Sequence, residues 1–167
     1  RISPQKNLHN LLLAYSILKH KYADYVPPLI LFGKEDHIGS PNMNIRNESY
    51  LESLQALCEK LKITPFVFFK GHVDRQLIDD FLNEKSNLFV SPSLHSEENF
   101  GVAALQAILS RNKAVLSDWG VQSDFKTHFP TMVELVPVSE SEYGPSVSAD
   151  NIAAAIWSCL VQSETEV

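Results

Sequence analysis

The sequence predicts an α/β domain, a Rossmann-like three-layer structure with a mainly parallel sheet and helices on both faces. Segments whose apolar residues recur at helical spacing alternate with short apolar runs, which is typical of alternating helices and strands. Most of the short runs are continuously apolar, as strands buried on both faces are. The connections are short enough for right-handed crossovers. The 167 residues suit one domain with a sizeable core.

The helical segments are defined by their apolar spacing and by the residues that stop it. In the first, leucines and a tyrosine recur at helical spacing from Leu8 onward, and Pro27-Pro28 prevent any continuation. Asp74 is a candidate N-cap for the third helix. The predicted helices cover about residues 6–22, 48–62, 73–84, 100–110 and 150–161, with a further helical turn at 123–125.

The predicted strands are the apolar runs between these helices. They cover residues 29–33, 66–69, 88–93, 113–118 and 131–138. Open α/β sheets bind ligands at the carboxyl ends of their strands. The loops at those ends are residues 33–47, 71–74, 91–99 and 117–124, and residues 139–150 are the only stretch that reads as a linker.

Composition narrows the functional classes. The net charge of −6 argues against broad binding to nucleic acid. No apolar run reaches the ~18 residues that a membrane-spanning helix needs, and no signal peptide is visible. Cys58 and Cys159 lie in apolar helical patterns without the spacing of a zinc or redox motif, so we expect buried thiols and a cytoplasmic protein. The start at Arg1, without Met, suggests a fragment of a longer protein.

Several common site motifs are absent from the sequence. The six glycines form neither a G-x-G-x-x-G fingerprint nor a Walker-type loop, and there is no G-x-S-x-G elbow. The six histidines do not cluster at metal-ligand spacing. These absences argue against dehydrogenase, nucleotide-hydrolase and esterase functions.

The stretch "SPSLHSEENFGVAALQAILSRNKAVLSDWG" combines a strand end, two acids and a helix start. The first N–H groups of that helix form a ready anion site, and Gly101 lets a phosphate approach the backbone. Glu98 precedes the helix, where its carboxylate can accept hydrogen bonds from the hydroxyls of an attached sugar. Gln106 lies two turns later and can reach ribose hydroxyls. The alternative for these acids is a simple interaction with the helix dipole, which contributes ~0.3–1 kcal/mol.

Four stretches, in order, resemble signatures of the C-terminal domain of retaining glycosyltransferases with the GT-B fold. "RISPQKN" (1–7) is similar to the family's GRxSPxKN from its arginine onward, and "FFKGHVDRQLIDDFL" (68–82) is similar to the turn and helix near the nucleotide base. The family hallmark is a strand, PS, then Glu-x-Phe-Gly and a helix with a second Glu eight positions after the first; here the first is Glu98. "LSDWG" (116–120) resembles the strand and turn that follow. The chain departs from this pattern at the second Glu, which is Gln106.

The resemblance assigns candidate roles, and for several residues a position at a strand end or helix start supports them. It implies that Arg1 and Lys6 hold the donor's diphosphate and that Glu98 is the catalytic residue, in contact with the transferred sugar. The candidate substrate-binding residues are Arg1, Lys6, Gly33, Gly71, His72, Val73, His95, Phe100, Gly101, Val102 and Gln106.

For several of these residues a plainer interpretation stays open. A frayed chain end is the alternative for Arg1, and a solvated first-turn lysine is the alternative for Lys6. Gly33 is as well explained by a plain turn. A loop histidine bonded to the backbone is the alternative for His95, and an exposed turn residue is the alternative for His72.

The resemblance implies that residues 1–167 are the donor domain of an enzyme of the hexosyltransferase type. The donor is a nucleoside-diphosphate sugar, and the glycosyl group passes to an acceptor hydroxyl with retention, in glycan or polysaccharide biosynthesis. A glycan or lipid-linked acceptor binds through a missing N-terminal domain, so the isolated fragment is expected to be inactive. No metal and no cofactor are expected, nor any nucleic-acid partner. Peripheral association with the inner membrane is a further expectation.

Two other classes of function remain. One is another enzyme of the same architecture, such as a nucleotide-sugar epimerase or a sugar phosphorylase, although no motif for a lysine-bound pyridoxal cofactor is present. The other is a degenerate, non-catalytic domain that binds nucleotide-sugar or regulates a partner glycosyltransferase. Gln106 is the residue that favours this second alternative.

Overall fold

The structure, a computed structural model, describes residues 1–36, 49–84, 87–95 and 101–164. Within these ranges helices and strands alternate along the chain. The helices are α1 (Leu8–Tyr22), α2 (Tyr50–Lys60), α3 (Arg75–Asn83), α4 (Val102–Leu109), α5 (Val121–His128) and α6 (Ala149–Glu164). The strands are β1 (Leu29–Phe32), β2 (Val67–Gly71), β3 (Leu88–Ser91), β4 (Lys113–Ser117), β5 (Val133–Val136), β6 (Ser139–Ser141) and β7 (Gly144–Ser146).

The predicted α/β class and all five predicted main strands are confirmed, with shifts of a few residues at the ends. The helical turn predicted at 123–125 belongs to the eight-residue helix α5. Asp74 occupies the N-cap position of α3, but its side chain makes no capping hydrogen bond. The prediction of a linker at 139–150 was wrong, because residues of this segment form the antiparallel hairpin β6–β7. The segment is polar and shows no apolar strand pattern. The hairpin is held together by backbone hydrogen bonds, which such a pattern does not reveal.

The parallel strands pair in two groups. β1 pairs with β2, with Leu31 opposite Phe69. β3, β4 and β5 form a second parallel group in that order. In this group Val90 lies opposite Val115. Among the described residues no pairing joins β1 to β3, so the single sheet expected from the sequence is present as two parallel pieces.

The core lies against both groups of strands. Leu12 on α1 and Ile152 on α6 are fully buried, and these two helices pack against each other. Tyr22 and Trp157 stack between them with ring centroids 3.4 Å apart. A second cluster is centred on Leu116 and packs α4 and α5 against β4 and β5. Helices therefore cover the strands as a three-layer fold requires.

Both cysteines are buried and free, as predicted. Burial raises the pKa of the Cys58 thiol to about 11 and also raises the pKa of Cys159. No described helix is long and apolar enough to cross a membrane.

Candidate functional site

A cavity of about 680 Å³ lies between the two groups of strands. Its deep part, which we call the interstrand groove, has β1 (Leu29–Phe32) as one wall and β3 (Leu88–Ser91) as the other. Its opening, which we call the mouth, lies at the carboxyl ends of these strands. The mouth is lined by Arg1, Lys6, Gly33, His72, Val73, Arg75, Val102, Ala103, Gln106 and Gln122.

The first residues of the chain lie between the carboxyl ends of β1 and β3. On one side Ile2 forms a parallel bridge with Glu35, and its N–H donates to the Lys34 carbonyl at 2.8 Å. On the other side the Gln5 carbonyl accepts from the Leu94 N–H at 2.9 Å. These bonds hold Lys6, at the end of the 3₁₀ turn Pro4–Lys6, beside the mouth.

Arg1 is not a frayed end. Its guanidinium donates to the Asp36 carboxylate at 3.0 Å, and its side chain is 62% exposed while that of Asp36 is 13% exposed. The largely buried carboxylate therefore orients an accessible cation at the mouth.

Two glycines, one lining the mouth and one beside it, connect the ends of β1 and β2. The Gly33 N–H donates to the Gly71 carbonyl at 2.8 Å, which joins the turns after β1 and β2. A Cβ on Gly33 would lie 2.9 Å from the Arg1 backbone nitrogen, and φ is +132°. Only glycine permits this approach, so the plain-turn interpretation is incomplete: the residue makes room for Arg1.

The start of α4 presents backbone N–H groups to the mouth. Gly101 is the N-cap in the left-handed conformation and offers no side-chain cap. The helix is described from Val102, two to three residues later than the sequence suggested. Since Gly101 has no side chain to cap the helix, the first-turn N–H groups are the kind of donors that bind an anion. Val102 and Ala103 line the mouth, and the Val102 side chain is 63% exposed.

Gln106 has a partner that sequence reasoning missed. Its side-chain amide nitrogen donates to the Asp79 carboxylate on α3. The other oxygen of that carboxylate lies 3.8 Å from Nε of Arg75, four residues earlier on the helix. Acid and base at this spacing share one helix face, which is a signal the sequence offered. The contact between Asp79 and Gln106 could not be predicted from the sequence, because the two residues are 27 positions apart.

A buried polar chain beneath the mouth was also missed. The Ser117 hydroxyl contacts the Ser93 carbonyl oxygen and lies 2.8 Å from the Gln122 side-chain oxygen. The Gln122 amide nitrogen donates to the Ser91 hydroxyl at 3.0 Å. These bonds tie the ends of β3 and β4 to α5. The sequence did offer one signal for these contacts, since β3 and β4 each end in a serine.

The predicted residues are thus largely brought together. Arg1, Lys6, Gly33, His72, Val73, Val102 and Gln106 line one mouth, and Gly71 and Gly101 adjoin it in the chain. His95 is not among the described lining residues; its backbone N–H lies 3.4 Å from the Ser93 hydroxyl oxygen. Glu98 and Phe100 lie outside the described residues. In the described part of the chain no cluster of three or more His, Cys, Asp or Glu residues could hold a metal ion.

The fold and this strand-end site define a Rossmann-like, GT-B-type domain, and the comparisons agree. The family description "Glycosyl transferases group 1" matches residues 1–133. The chain therefore belongs to the group 1 glycosyl transferases, and its resemblance to the C-terminal domain of GT-B enzymes is confirmed. A search of curated protein sequences gave no match.

Solved structures share the fold at low sequence identity. HepE of Anabaena in complex with UDP is 19% identical with a TM-score of 0.72, covering 98% of this chain and 38% of HepE. A glycosyltransferase of Rickettsia africae is 19% identical with a TM-score of 0.71, covering 96% and 36%. A sucrose-phosphate synthase of Thermosynechococcus elongatus is 22% identical with a TM-score of 0.68, covering 95% and 34%. The chain thus spans little more than a third of each of these proteins.

Proposed function

We propose that residues 1–167 are the donor-binding domain of a glycosyltransferase that transfers a sugar from a nucleoside-diphosphate sugar to an acceptor hydroxyl, with retention. The observation that carries the proposal is the convergence of Arg1, Lys6 and the start of α4 on one strand-end mouth. Two cations and the backbone N–H groups of a helix start are the chemistry that binds a diphosphate. Membership of the group 1 family supports the same function.

The diphosphate is placed between the cations and the helix. Lys6 and Arg1 bind its oxygens from one side, with Asp36 keeping the Arg1 guanidinium oriented. The N–H groups of Val102 and Ala103 donate from the other side. As the sugar leaves, negative charge grows on the diphosphate, so the same groups stabilise the transition state more than the ground state. No metal or cofactor is part of this proposal.

The nucleoside and the sugar take the remaining positions. Glu98 contacts the transferred sugar as the catalytic residue, with His95 nearby, and Phe100 and Gly101 flank the diphosphate. The backbone of Gly71, His72 and Val73 forms a platform for the base. These three residues would contact the base through backbone atoms, so their side chains do not specify which base is bound.

Asp79 compensates for the substitution at Gln106. A glutamine has an acceptor oxygen but no charge, and its amide nitrogen is committed to Asp79. The Gln106 oxygen is therefore directed to accept from ribose hydroxyls, and the Asp79 carboxylate supplies negative charge beside it. This argues for a functional donor site and against the degenerate-domain alternative.

We propose the acceptor and the cellular setting from the resemblance to GT-B enzymes. A further domain holds a glycan or lipid-linked acceptor and closes over the donor. We place the enzyme in the cytoplasm, with peripheral contact with the inner membrane, in polysaccharide assembly. A hexosyl donor is the first to test, because HepE of Anabaena was solved with UDP-glucose.

Calorimetric titration of the whole protein with UDP, GDP, ADP and their hexose conjugates tests donor binding. We expect one nucleotide to bind selectively, and Lys6→Ala to weaken it about tenfold or more, since a bond to a charged group contributes ~1.5–3 kcal/mol. Lys60→Ala, an exposed lysine in the last turn of α2, is the matched control and should change nothing. Absence of binding to any nucleotide would overturn the proposal.

Transfer itself separates the enzyme from the non-catalytic alternative. Glu98→Gln should abolish transfer while leaving nucleotide affinity within a few-fold. Asp79→Asn should weaken nucleotide binding, whereas Asp80→Asn, on the neighbouring residue, should not. Nucleotide binding without any transfer in the unsubstituted protein would favour a regulatory domain.

A further inference from the structure

We propose that Asp79 and Arg75 are positioning residues of the donor site, which hold the Gln106 side chain with its nitrogen towards α3 and its oxygen towards the ligand. The negative charge of this part of the site then lies on Asp79 of α3 and not on residue 106 of α4. The inference rests on the proposed function, because the ligand group that meets Gln106 is the ribose of the nucleotide.

The first support is the direction of the hydrogen bond between α3 and α4. The Gln106 side-chain nitrogen donates to one oxygen of the Asp79 carboxylate. A carboxylate only accepts hydrogen bonds, so a reversed amide would place two oxygens against each other. In the described part of the chain no group donates to the Gln106 side-chain oxygen. That oxygen therefore remains as an acceptor for a hydroxyl of the ligand.

The second support is the position of Arg75 on the far side of the same carboxylate. Its Nε lies 3.8 Å from the other Asp79 oxygen, one helical turn away on α3. The Arg75 side chain is 86% exposed, and an ion pair this exposed adds little to stability. Its effect is on geometry: with a cation on one side and an amide N–H on the other, residue 79 must accept in both directions.

The third support is the place of this contact along the mouth. Val102 and Gln106 both line the mouth, and because they are four residues apart on α4 they share one face of the helix. Four residues rise ~6 Å along a helix. A diphosphate at the start of α4 therefore brings the next group of the nucleotide, the ribose, beside Gln106. Arg75 lines the mouth at the same place.

This polarity has a consequence for glutamate at position 106, which is the residue of the family pattern. In Gln106→Glu two carboxylates face each other, and like charges in contact repel. In the double variant Asp79→Asn/Gln106→Glu the charge and the amide exchange places. The new asparagine accepts from Arg75 with its oxygen and donates to the new carboxylate with its nitrogen, so an acceptor faces the ligand again.

Calorimetric titration of the whole protein with UDP, GDP, ADP and their 2′,3′-dideoxy counterparts tests the inference. The unsubstituted protein should bind its ribonucleotide about tenfold or more tightly than the dideoxy form, since an acceptor without its hydroxyl is left unpaired. Gln106→Glu should weaken ribonucleotide binding about tenfold and remove most of this preference. The double variant should restore both to within about threefold, as residues in contact are not additive.

A second amide–carboxylate pair on α3 provides the matched control. The Gln76 side-chain nitrogen donates to the Asp80 carboxylate at 2.8 Å, and neither residue is among the described residues of the mouth. Gln76→Glu, alone or with Asp80→Asn, should leave both nucleotide affinities unchanged. The Tm of every variant without nucleotide is measured as well, and we expect Gln106→Glu to lower it and the double variant to recover it.

Three outcomes would overturn the inference, and they are distinguishable. If Gln106→Glu lowers the Tm but leaves the affinity and the hydroxyl preference unchanged, the pair is only a structural contact between two helices. A double variant that binds no better than Gln106→Glu would show that the charge has not moved to Asp79. Both of these results leave donor binding intact, whereas an unsubstituted protein that binds no nucleotide would overturn the proposed function and this inference with it.

Discussion

β4 and β3 are paired residue for residue, yet they differ in burial. Val115 on β4 is 1% exposed, whereas its partner Val90 on β3 is only partly buried. β4 has a strand on each side, and β3 has one neighbour among the described residues. Both are apolar runs in the sequence. The comparison shows that the burial of a strand depends on its neighbours as much as on its own residues.

The largest expected effect is at the centre of the closed group. Leu116→Ala on β4 removes a fully buried side chain from the second core cluster and should cost about 2–5 kcal/mol of unfolding free energy. Guanidinium unfolding measures it. Leu109→Ala, at a position that is 67% exposed, is the control and should cost below ~0.5 kcal/mol. Equal costs would show that β4 is not the centre of this core.

Substitutions of the paired residues Val90 and Val115 test this difference in burial between β3 and β4. We expect Val115→Ala to cost on the order of 2 kcal/mol and Val90→Ala about half as much, because the Val115 side chain is fully buried and that of Val90 only partly. Denaturant unfolding of both variants is the measurement. Equal costs for the two variants would show that Val90 is as buried as Val115 and would contradict the comparison.

Two glycines near the mouth differ in how closely their surroundings are packed. Gly101 and Gly71 both have positive φ, 52° and 65°, so alanine at either position is strained by about 1 kcal/mol. At Gly101 the new Cβ would also lie 2.9 Å from the buried Phe125 ring, whereas Gly71 has nothing within 4 Å. We expect Gly101→Ala to cost a further 1–3 kcal/mol, roughly, from overpacking. Equal thermal shifts for the two variants would contradict this packing.

The smallest expected effect is a loss of stability at alkaline pH that is caused by Cys58. The pKa of Cys58 is about 11 in the folded protein because burial disfavours the thiolate. The unfolded chain ionises at lower pH, so the stabilisation from the neutral thiol is complete below pH ~9 and is lost as pH rises towards ~11. Stability measured from pH 8 to 11 should therefore fall less in Cys58→Ala than in the unsubstituted protein. An identical fall in both would remove Cys58 as a cause.

Much of the candidate site could be predicted from the sequence, because most of its residues belong to motifs that span only a few positions. The turn that carries Lys6 and the glycine before α4 belong to short motifs whose backbone geometry their own residues decide. Gln106 was identified by its spacing within the same helix. Its bond to Asp79 could not be read, because two helices distant in the chain must pack before the side chains meet.

The sequence by itself determined the order of the main helices and strands, the parallel arrangement of those five strands and the family, since apolar periodicity and short motifs act over a few residues. Only the tertiary structure decided which strand edges are closed, where Arg1 lies and what Gln106 contacts. The physical reason is that edge pairing and side-chain contacts depend on segments far apart in the chain. The hairpin in residues 139–150 shows the same limit, because pairing across a turn formed strands in a segment whose side chains carry no strand pattern.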